Sequence, residues 1–551
     1  MGDLNQALDL HRAGRLAEAV AVYEGLVAQN PDAQPVLNYG GLARFQQGDA
    51  EGALVWLQRA VDLNPEDQSA CNNLAAVLKA TGRVEQATEL YRSVVAQHPR
   101  YALAHFNLGL ALAAQGDRSG AREHYQLAIE IDPDKAEFHN NLGLLNLGEG
   151  LLDDAAFHLR RAVSLAPNYA DAWSNLGTLL QRAGRPHEAR DALGKAVAIQ
   201  PQQADAWCHL GHVEMELGQA SAAQAHYRKA LSTGQQTERV SVDLAMAEAE
   251  LGQQDAAIER LSRVLGGQSG ASAWVARAGL YYKQCRYGEA SEDYRSILEQ
   301  SPGHSVARDQ LIRCLLAQEA VDEASDQLRA GLLLNPRDQR LLALKPSLEM
   351  ALGHDQQAEA WLDYDRWVHC EQVPNWQALL PQLQSHVLDH PSLHESPSSH
   401  ATRSGRHSGE LLFGELGPML EFKAEVARRA KLRHQAFRDE SWSPQTTAEQ
   451  WAYTSWAVVM RTQGHQVAHI HPSGWLSGVM YVELPDDVES EAPHGWLELG
   501  RPPGDVVAPV PPTRMVQPKP GLMVTFPSWL WHRTIPFEHG DRRICIAFDV
   551  M

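Results

Sequence analysis

The residues of this 551-residue chain best suited to chemistry lie near its C-terminal end: His469 and His471, then His532, then Arg543. In an extended strand side chains two apart share a face, so His469 and His471 can point the same way while Ile470 points away. A third imidazole, His532, then arrives from a distant segment. Imidazole nitrogens suit Fe(II), and oxygen-activating iron sites commonly use two histidines and a carboxylate on one face, leaving positions open for cosubstrate and oxygen. Here the carboxylate position holds His471. It either completes a three-histidine site or stands beside a two-histidine site whose other positions take water and cosubstrate. His465 is close in sequence but sits further along the strand, a poor ligand position. Arg543 follows His532 by eleven residues, and its planar guanidinium can grip a carboxylate through two parallel hydrogen bonds.

These residues need a rigid frame. From about Trp451 the sequence reads as short strands separated by turns, namely WAVVMRT, HQVAHIH, WLSGVMYVEL, GWLELG, GLMVTF and RRICIAFDV, a series that predicts an antiparallel barrel or sandwich. Ser477, Tyr481 and Glu483 share one strand face, and of these Tyr481 and Ser477 are the candidate cosubstrate contacts. Arg542 falls on the opposite face from Arg543 and reads as solvated. The Pro-rich passage from Arg501 to Pro520 predicts a long surface loop beside the barrel mouth. The tryptophans of PSWLWH read as packing. A helix is expected from Leu416 to Phe437, and residues 389–412 read as loop. The histidines in or beside that loop, His390, His394, His400 and His407, share no ligand spacing and read as structural or solvated.

The first two thirds of the chain is periodic. Glycines recur every 34 residues at Gly14, Gly48, Gly82, Gly116, Gly150, Gly184, Gly218 and Gly252, each followed five residues later by alanine. Prolines stand seventeen residues after most of them, from Pro31 to Pro201. The glycine ends one helix and the proline follows the next. Looser copies with Ala290, Ala324 and Ala358 carry the pattern to about residue 365. This unit resembles the tetratricopeptide repeat, which implies stacked helix pairs forming a superhelix with a groove for polypeptide. Asn73, Asn107, Asn141 and Asn175 also recur 34 apart, in the first helix of successive units. Similar ladders in the family, as in O-GlcNAc transferases, hold the backbone of an extended peptide, since an amide offers both donor and acceptor. The alternative is that these asparagines only bond adjacent units to each other.

Near residue 365 the repeat fades and ten of the fourteen tryptophans lie from Trp361 onward. The segments HIHPSGWLSGVMYVELP, PGLMVTFPSWLWH and RRICIAFDV resemble a bacterial group of Fe(II)/2-oxoglutarate oxygenases with HxHPxxxLSGVxYV, PGxxxxFPSxxxH and RxSIAFN-like segments, and the likeness runs from about residue 386. It implies a double-stranded β-helix (jelly-roll) barrel in an α+β domain, Fe(II) bound by His469 and His532, and Arg543 paired with the distal carboxylate of 2-oxoglutarate. It further implies oxidative decarboxylation of that acid coupled to hydroxylation of a C–H bond. Members often carry Ser two residues after the arginine, where this chain has Cys545. The expected organisation is therefore multidomain: repeats over 1–365, a helical and loop connector with the lead-in over 366–446, and the barrel over 447–551. The function expected is hydroxylation of a protein or peptide recruited by the repeats. Two alternatives stand beside it, a cupin-type metal dioxygenase and a non-catalytic scaffold. The cupin pattern expects Glu a few residues after HxH, where Trp475 and Leu476 stand.

Composition narrows the partners. A formal charge of -20 disfavours sequence-independent nucleic-acid binding, which needs a basic face to displace counterions. No segment reads as a membrane span or a leader, so a cytoplasmic location is expected. The six cysteines, Cys71, Cys208, Cys285, Cys314, Cys370 and Cys545, show no CxxC spacing and read as buried thiols.

Overall fold

The computed structural model describes residues 2–234, 238–266, 270–395, 401–412, 416–485, 488, 493–537 and 542–551, so His400 lies outside the described residues. The chain divides into two compact units, Met1–Leu179 and Leu180–Met551.

The 34-residue period is a helix-capping device. All eight periodic glycines have positive φ, between 68° and 100°, a region open to glycine because it lacks a Cβ. The residue after each glycine returns an N–H to the carbonyl five residues earlier, as in Arg15 to Leu10, Asp49 to Arg44 and Arg83 to Leu78, which is a Schellman closure of the helix end. The alanines that follow, including Ala19, Ala53, Ala87 and Ala121, are completely buried, so the second helix of each pair lies close against the first. Where the glycine lapses, the cap persists: Cys285 and Glu319 take φ of 58° and 60°, and Gly353 takes 78°. Ala290, Ala324 and Ala358 follow them at full burial, so the looser copies are genuine helix pairs. Cys285 is exposed because it occupies such a cap, and Cys370 is exposed as well, which corrects the expectation that all six thiols are buried.

Within the second unit the repeat helices give way to a β domain. Its strands are β1 (His369–Gln372), β2 (His394–Glu395), β3 (Thr402–His407), β4 (Tyr453–Gln466), β5 (Leu476–Glu483), β6 (Leu497–Leu499), β7 (Arg514–Val516), β8 (Leu522–Pro527), β9 (His532–Thr534) and β10 (Arg543–Val550). One sheet runs β1-β8-β5-β10-β4-β3-β2 and the other β7-β6-β9, with antiparallel neighbours throughout. A bridge between His469 and His532 adds a further segment beside β9. Two antiparallel sheets that share one core, with β8, β9 and β10 passing from one to the other in turn, are jelly-roll-like, as expected. A helix at Met419–Phe437 covers the outer face of the larger sheet, with Phe422 packed edge-on against Phe548.

Three local expectations change. WAVVMRT and the start of HQVAHIH form one long strand, β4, instead of two. Its partner β3 lies inside the stretch read as loop; its sequence, TRSGRH, carries no apolar alternation because it packs near the sheet edge through backbone pairing. The Pro-rich passage is not simply a surface loop: it contains β7, and Val506 is buried among Ile297, Leu311 and other side chains of the repeat helices. The neighbouring Asp505 carbonyl accepts from Tyr282 Oη at 2.5 Å, and Trp531 Nε1 donates to Ala343 O at 3.0 Å, so the β domain and the later repeats share their packing. No helix among the described residues is long and apolar enough to cross a membrane.

Glu319 is exposed and holds a left-handed conformation that costs an L-residue up to about 1 kcal/mol relative to glycine. Glu319→Gly is expected to raise the midpoint of denaturant unfolding by a corresponding amount, measured against Glu319→Ala, which should leave it unchanged or lower.

Candidate metal centre

The centre begins with a backbone pairing. His469 N donates to His532 O at 3.0 Å, and His532 N donates back to His469 O at 3.1 Å. His471 N donates to Ser528 O at 3.1 Å. Thus the segment carrying both early histidines is stitched to β9 and the turn before it, although His469 and His471 lie beyond the end of β4. The side chains two apart face the same space as the strand argument requires. Each of the three imidazoles offers a nitrogen, and these atoms all lie within 4.8 Å of one another.

Their protonation follows from their neighbours. His469 Nδ1 lies 2.8 Å from Val467 O, and His532 Nδ1 lies 3.0 Å from Leu530 O. A carbonyl oxygen only accepts, so both rings carry the proton at Nδ1 and present a lone pair at Nε2. His471 Nδ1 lies 2.9 Å from Asp549 Oδ2 and takes the same tautomer beside the carboxylate. His471 Nε2 and His532 Nε2 lie 3.1 Å apart, close enough to share one cation. Burial, with the neighbouring imidazole of His471 adding to it, pushes the His469 pKa down to about 3. Burial and the other two rings hold His532 well below its ordinary value. Neutral imidazoles with ordered Nδ1–H groups are what ligation of a divalent metal needs. Packing holds the rings: Trp456 stacks on His471 at 5.3 Å between ring centres, His407 also stacks on Trp456 at 6.1 Å, and Phe526 lies 4.8 Å from His532.

Arg543 and Tyr481 line the same pocket as the three histidines. Arg543 is buried to 1% exposure, and among the described residues no carboxylate forms an ion pair with it. Its nearest hydrogen-bond acceptor is Cys545 Sγ at 3.5 Å from one terminal nitrogen, while Nε has no partner. The guanidinium lies 5.1 Å over the Tyr481 ring, and the buried Tyr481 hydroxyl, beside that guanidinium, meets no hydrogen-bond acceptor among the described residues. A buried cation and a buried phenol with unmet hydrogen bonds fit an anionic, oxygen-rich ligand. The space between these side chains is small, about 20 Å³, room for about one water, so a five-carbon diacid enters only when lining side chains shift. Gln466 and Thr534 separate this pocket from a wider cavity of about 450 Å³ bordered by Val467, Arg501, Val506 and Arg533. Arg501 and Arg533 are both tied to the buried Glu498.

Other candidates fall elsewhere. Ser477 is buried behind His471, where its hydroxyl donates to Asp549 Oδ1 at 2.6 Å and contacts Ser528 Oγ at 2.8 Å, so it supports the ring instead of lining the pocket. Arg542 is not solvated alone but pairs with Glu483 at 2.9 Å, which takes Glu483 out of the site. His465 is bonded to Gln463 O and borders the outer cavity only. His390 is bonded to Ser392 Oγ, a structural role. The spacing of the histidines does not point to Asp549 or Gln466. Asp549 shares strand parity with Arg543, a signal that was present.

In the repeats, Asn73 donates to Asn38 at 2.9 Å, Asn107 to Asn72 at 2.8 Å and Asn175 to Asn140 at 2.9 Å, each across adjacent units. Asn141 donates instead to Glu137 O within its own helix at 2.8 Å. Bonding between units is therefore a job these residues do, and it leaves the amide oxygens of Asn73, Asn107 and Asn175 for other donors.

Residues 454–549 match a family model described as "Putative 2OG-Fe(II) oxygenase". Tetratricopeptide-repeat models match residues 72–136 and 242–305, 146–210 and 281–348, and 41–82, among others. Solved structures similar to the repeats include that of Pseudomonas aeruginosa pilF, 20% identical over 36% of this chain and 90% of that one with a TM-score of 0.34. A tetratricopeptide repeat protein from Parabacteroides merdae is 17% identical over 45% of this chain and 97% of its own, with a TM-score of 0.37. No match is found among curated proteins. Motifs, fold and matched families together make the chain a fusion of tetratricopeptide repeats with a C-terminal domain of the 2OG-Fe(II) oxygenase family.

Proposed function

We propose that the C-terminal domain is an Fe(II)- and 2-oxoglutarate-dependent dioxygenase that hydroxylates a protein or peptide recruited by the repeats. The observation that carries this reading is the buried guanidinium of Arg543, without a carboxylate partner among the described residues, in the same pocket as three clustered imidazoles. His469, His471 and His532 would hold the metal through Nε2, and Arg543 with the Tyr481 hydroxyl would take the distal carboxylate of the cosubstrate. When bound, iron and 2-oxoglutarate supply the oxidising chemistry, with oxygen consumed and succinate and carbon dioxide released. This chain's residues do the remainder. The Nδ1–H bonds of His469 and His532 to backbone carbonyls fix each ring's direction, Trp456 and Phe526 exclude water from the rings, and Gln466 and Thr534 form the boundary that a substrate side chain crosses from the outer cavity. The cupin-type alternative has no support at the position where its glutamate is expected, because Trp475 and Leu476 are buried in the core. The repeats support a polypeptide partner, and their asparagines can serve it through amide groups not used between units.

Two measurements test this. Replacing Arg543 by Gln removes the cation and keeps a planar polar group; the expected result is at least about a tenfold rise in the Kd for 2-oxoglutarate, given that charge-assisted hydrogen bonds contribute roughly 1.5–3 kcal/mol, with iron affinity little changed. An unchanged Kd contradicts the assignment. Asn141 bonds no neighbouring unit, so Asn141→Ala should leave the Tm unaltered and lower turnover of a captured protein substrate by roughly threefold to tenfold, the effect of one hydrogen bond of about 1 kcal/mol. Unaltered turnover removes Asn141 from the recognition surface.

A further inference from the structure

A divalent metal held by three neutral imidazoles keeps its full charge, whereas two histidines and a carboxylate cancel part of it. This chain has no carboxylate in the position two after His469, yet one stands directly behind His471. Asp549 lies near the end of β10 with 7% exposure, on the same strand face as Arg543. Its Oδ2 accepts from His471 Nδ1 at 2.9 Å, and its Oδ1 accepts from Ser477 Oγ at 2.6 Å. Ser477 in turn meets Ser528 Oγ at 2.8 Å, and both serines are buried. The surroundings are closed: a Cβ placed on Gly474 would lie 2.8 Å from Ser528 Oγ and 3.3 Å from Asp549 Cβ. Asp549 is therefore packed directly against the loop that carries His471.

We infer that Asp549 is the charge-compensating carboxylate of the metal centre, acting through the His471 ring as a positioning residue instead of as a ligand. The inference rests on His471 being a ligand. A carboxylate on the outer nitrogen fixes the tautomer that leaves Nε2 free, aims the lone pair and raises the basicity of the ring toward the metal. The resembling oxygenase group ends this strand in RxSIAFN, with Asn where Asp549 stands, so this chain has a charged group where a neutral one also satisfies the same geometry. The consequence is opposite for the two ligands. Asp549 strengthens the hold on the cation and weakens the pull of the centre on a dianionic cosubstrate.

The test uses the full-length protein with Asp549→Asn, a change that keeps shape and hydrogen bonding. Fe(II) and, as a spectroscopic stand-in, Co(II) are titrated anaerobically, and 2-oxoglutarate is then titrated at saturating metal. Expected are about a 10- to 100-fold loss of metal affinity, equal or tighter 2-oxoglutarate binding, and a shift of the metal-to-cosubstrate charge-transfer band to shorter wavelength as the metal becomes more electron-poor. Unchanged metal affinity with an unshifted band overturns the inference, and so does an equal loss of both affinities with a lower Tm, which marks a merely structural role. His471→Ala separates the two levels of the argument. If it binds metal as the parent does, His471 is not a ligand and the underlying reading fails; if it loses metal while Asp549→Asn does not, only the role of Asp549 fails. Should Asp549→Asn fold poorly, Ser477→Ala serves instead. Losing the serine's donated bond concentrates charge on the carboxylate side facing His471, so metal affinity holds or rises and the band moves to longer wavelength. An unmoved band overturns the inference in that variant too.

Discussion

The reciprocal backbone hydrogen bonds between His469 and His532, at 3.0 and 3.1 Å, are the constraint on which the site depends. They join two segments far apart in the chain before any side chain is considered. They extend the smaller sheet by one segment at the point where it faces the larger one. The ring directions then follow from local carbonyls, Val467 O and Leu530 O, which take the Nδ1 protons and leave Nε2 exposed to the same space. A jelly-roll-like frame suits this task because its two sheets share one core, so residues far apart in the chain meet in the interior.

Charge is the second organising quantity. Arg543 brings a buried positive charge into a pocket whose metal would bring two more, and Asp549 is the one acidic side chain directly bonded to a candidate ligand ring among the described residues. A three-histidine centre viewed alone would present its metal charge uncompensated; Asp549 moderates it from behind His471. Arg543 retains an unmet demand for an anion at the opposite side of the pocket. The two charged groups on one face of β10 therefore divide the work between metal and cosubstrate.

The repeats were legible in the sequence because glycine at positive φ and fully buried alanine leave few substitutes, so Gly14 through Gly252 and their alanines announce the helix pairs. Where other residues take the cap, at Cys285 and Glu319, the glycine signal fades and the alanines continue it together with Pro302 and Pro336. His469, His532 and Arg543 stand out through spacing and family resemblance together, whereas spacing leaves the part of His471 open. Asp549 carries no such mark, since it stands 78 residues from His471 on the far strand that closes behind the ring. Strand β3 was missed because TRSGRH has no apolar period, and Val506 because proline-rich surroundings hide a residue that packs into the repeat helices. Ser477 shows the limit of parity arguments: it lies on the predicted face of β5, but its hydroxyl is consumed by Asp549 before it can reach the pocket.

The most direct measurement of the central claim is an anaerobic titration of the unaltered protein with Fe(II), followed by 2-oxoglutarate, recorded by absorption. A metal-to-ligand charge-transfer band in the visible, which forms only when both are present and saturates at one equivalent of each, is the expected result. Iron bound with no such band on adding 2-oxoglutarate, or no iron bound at all, would contradict it.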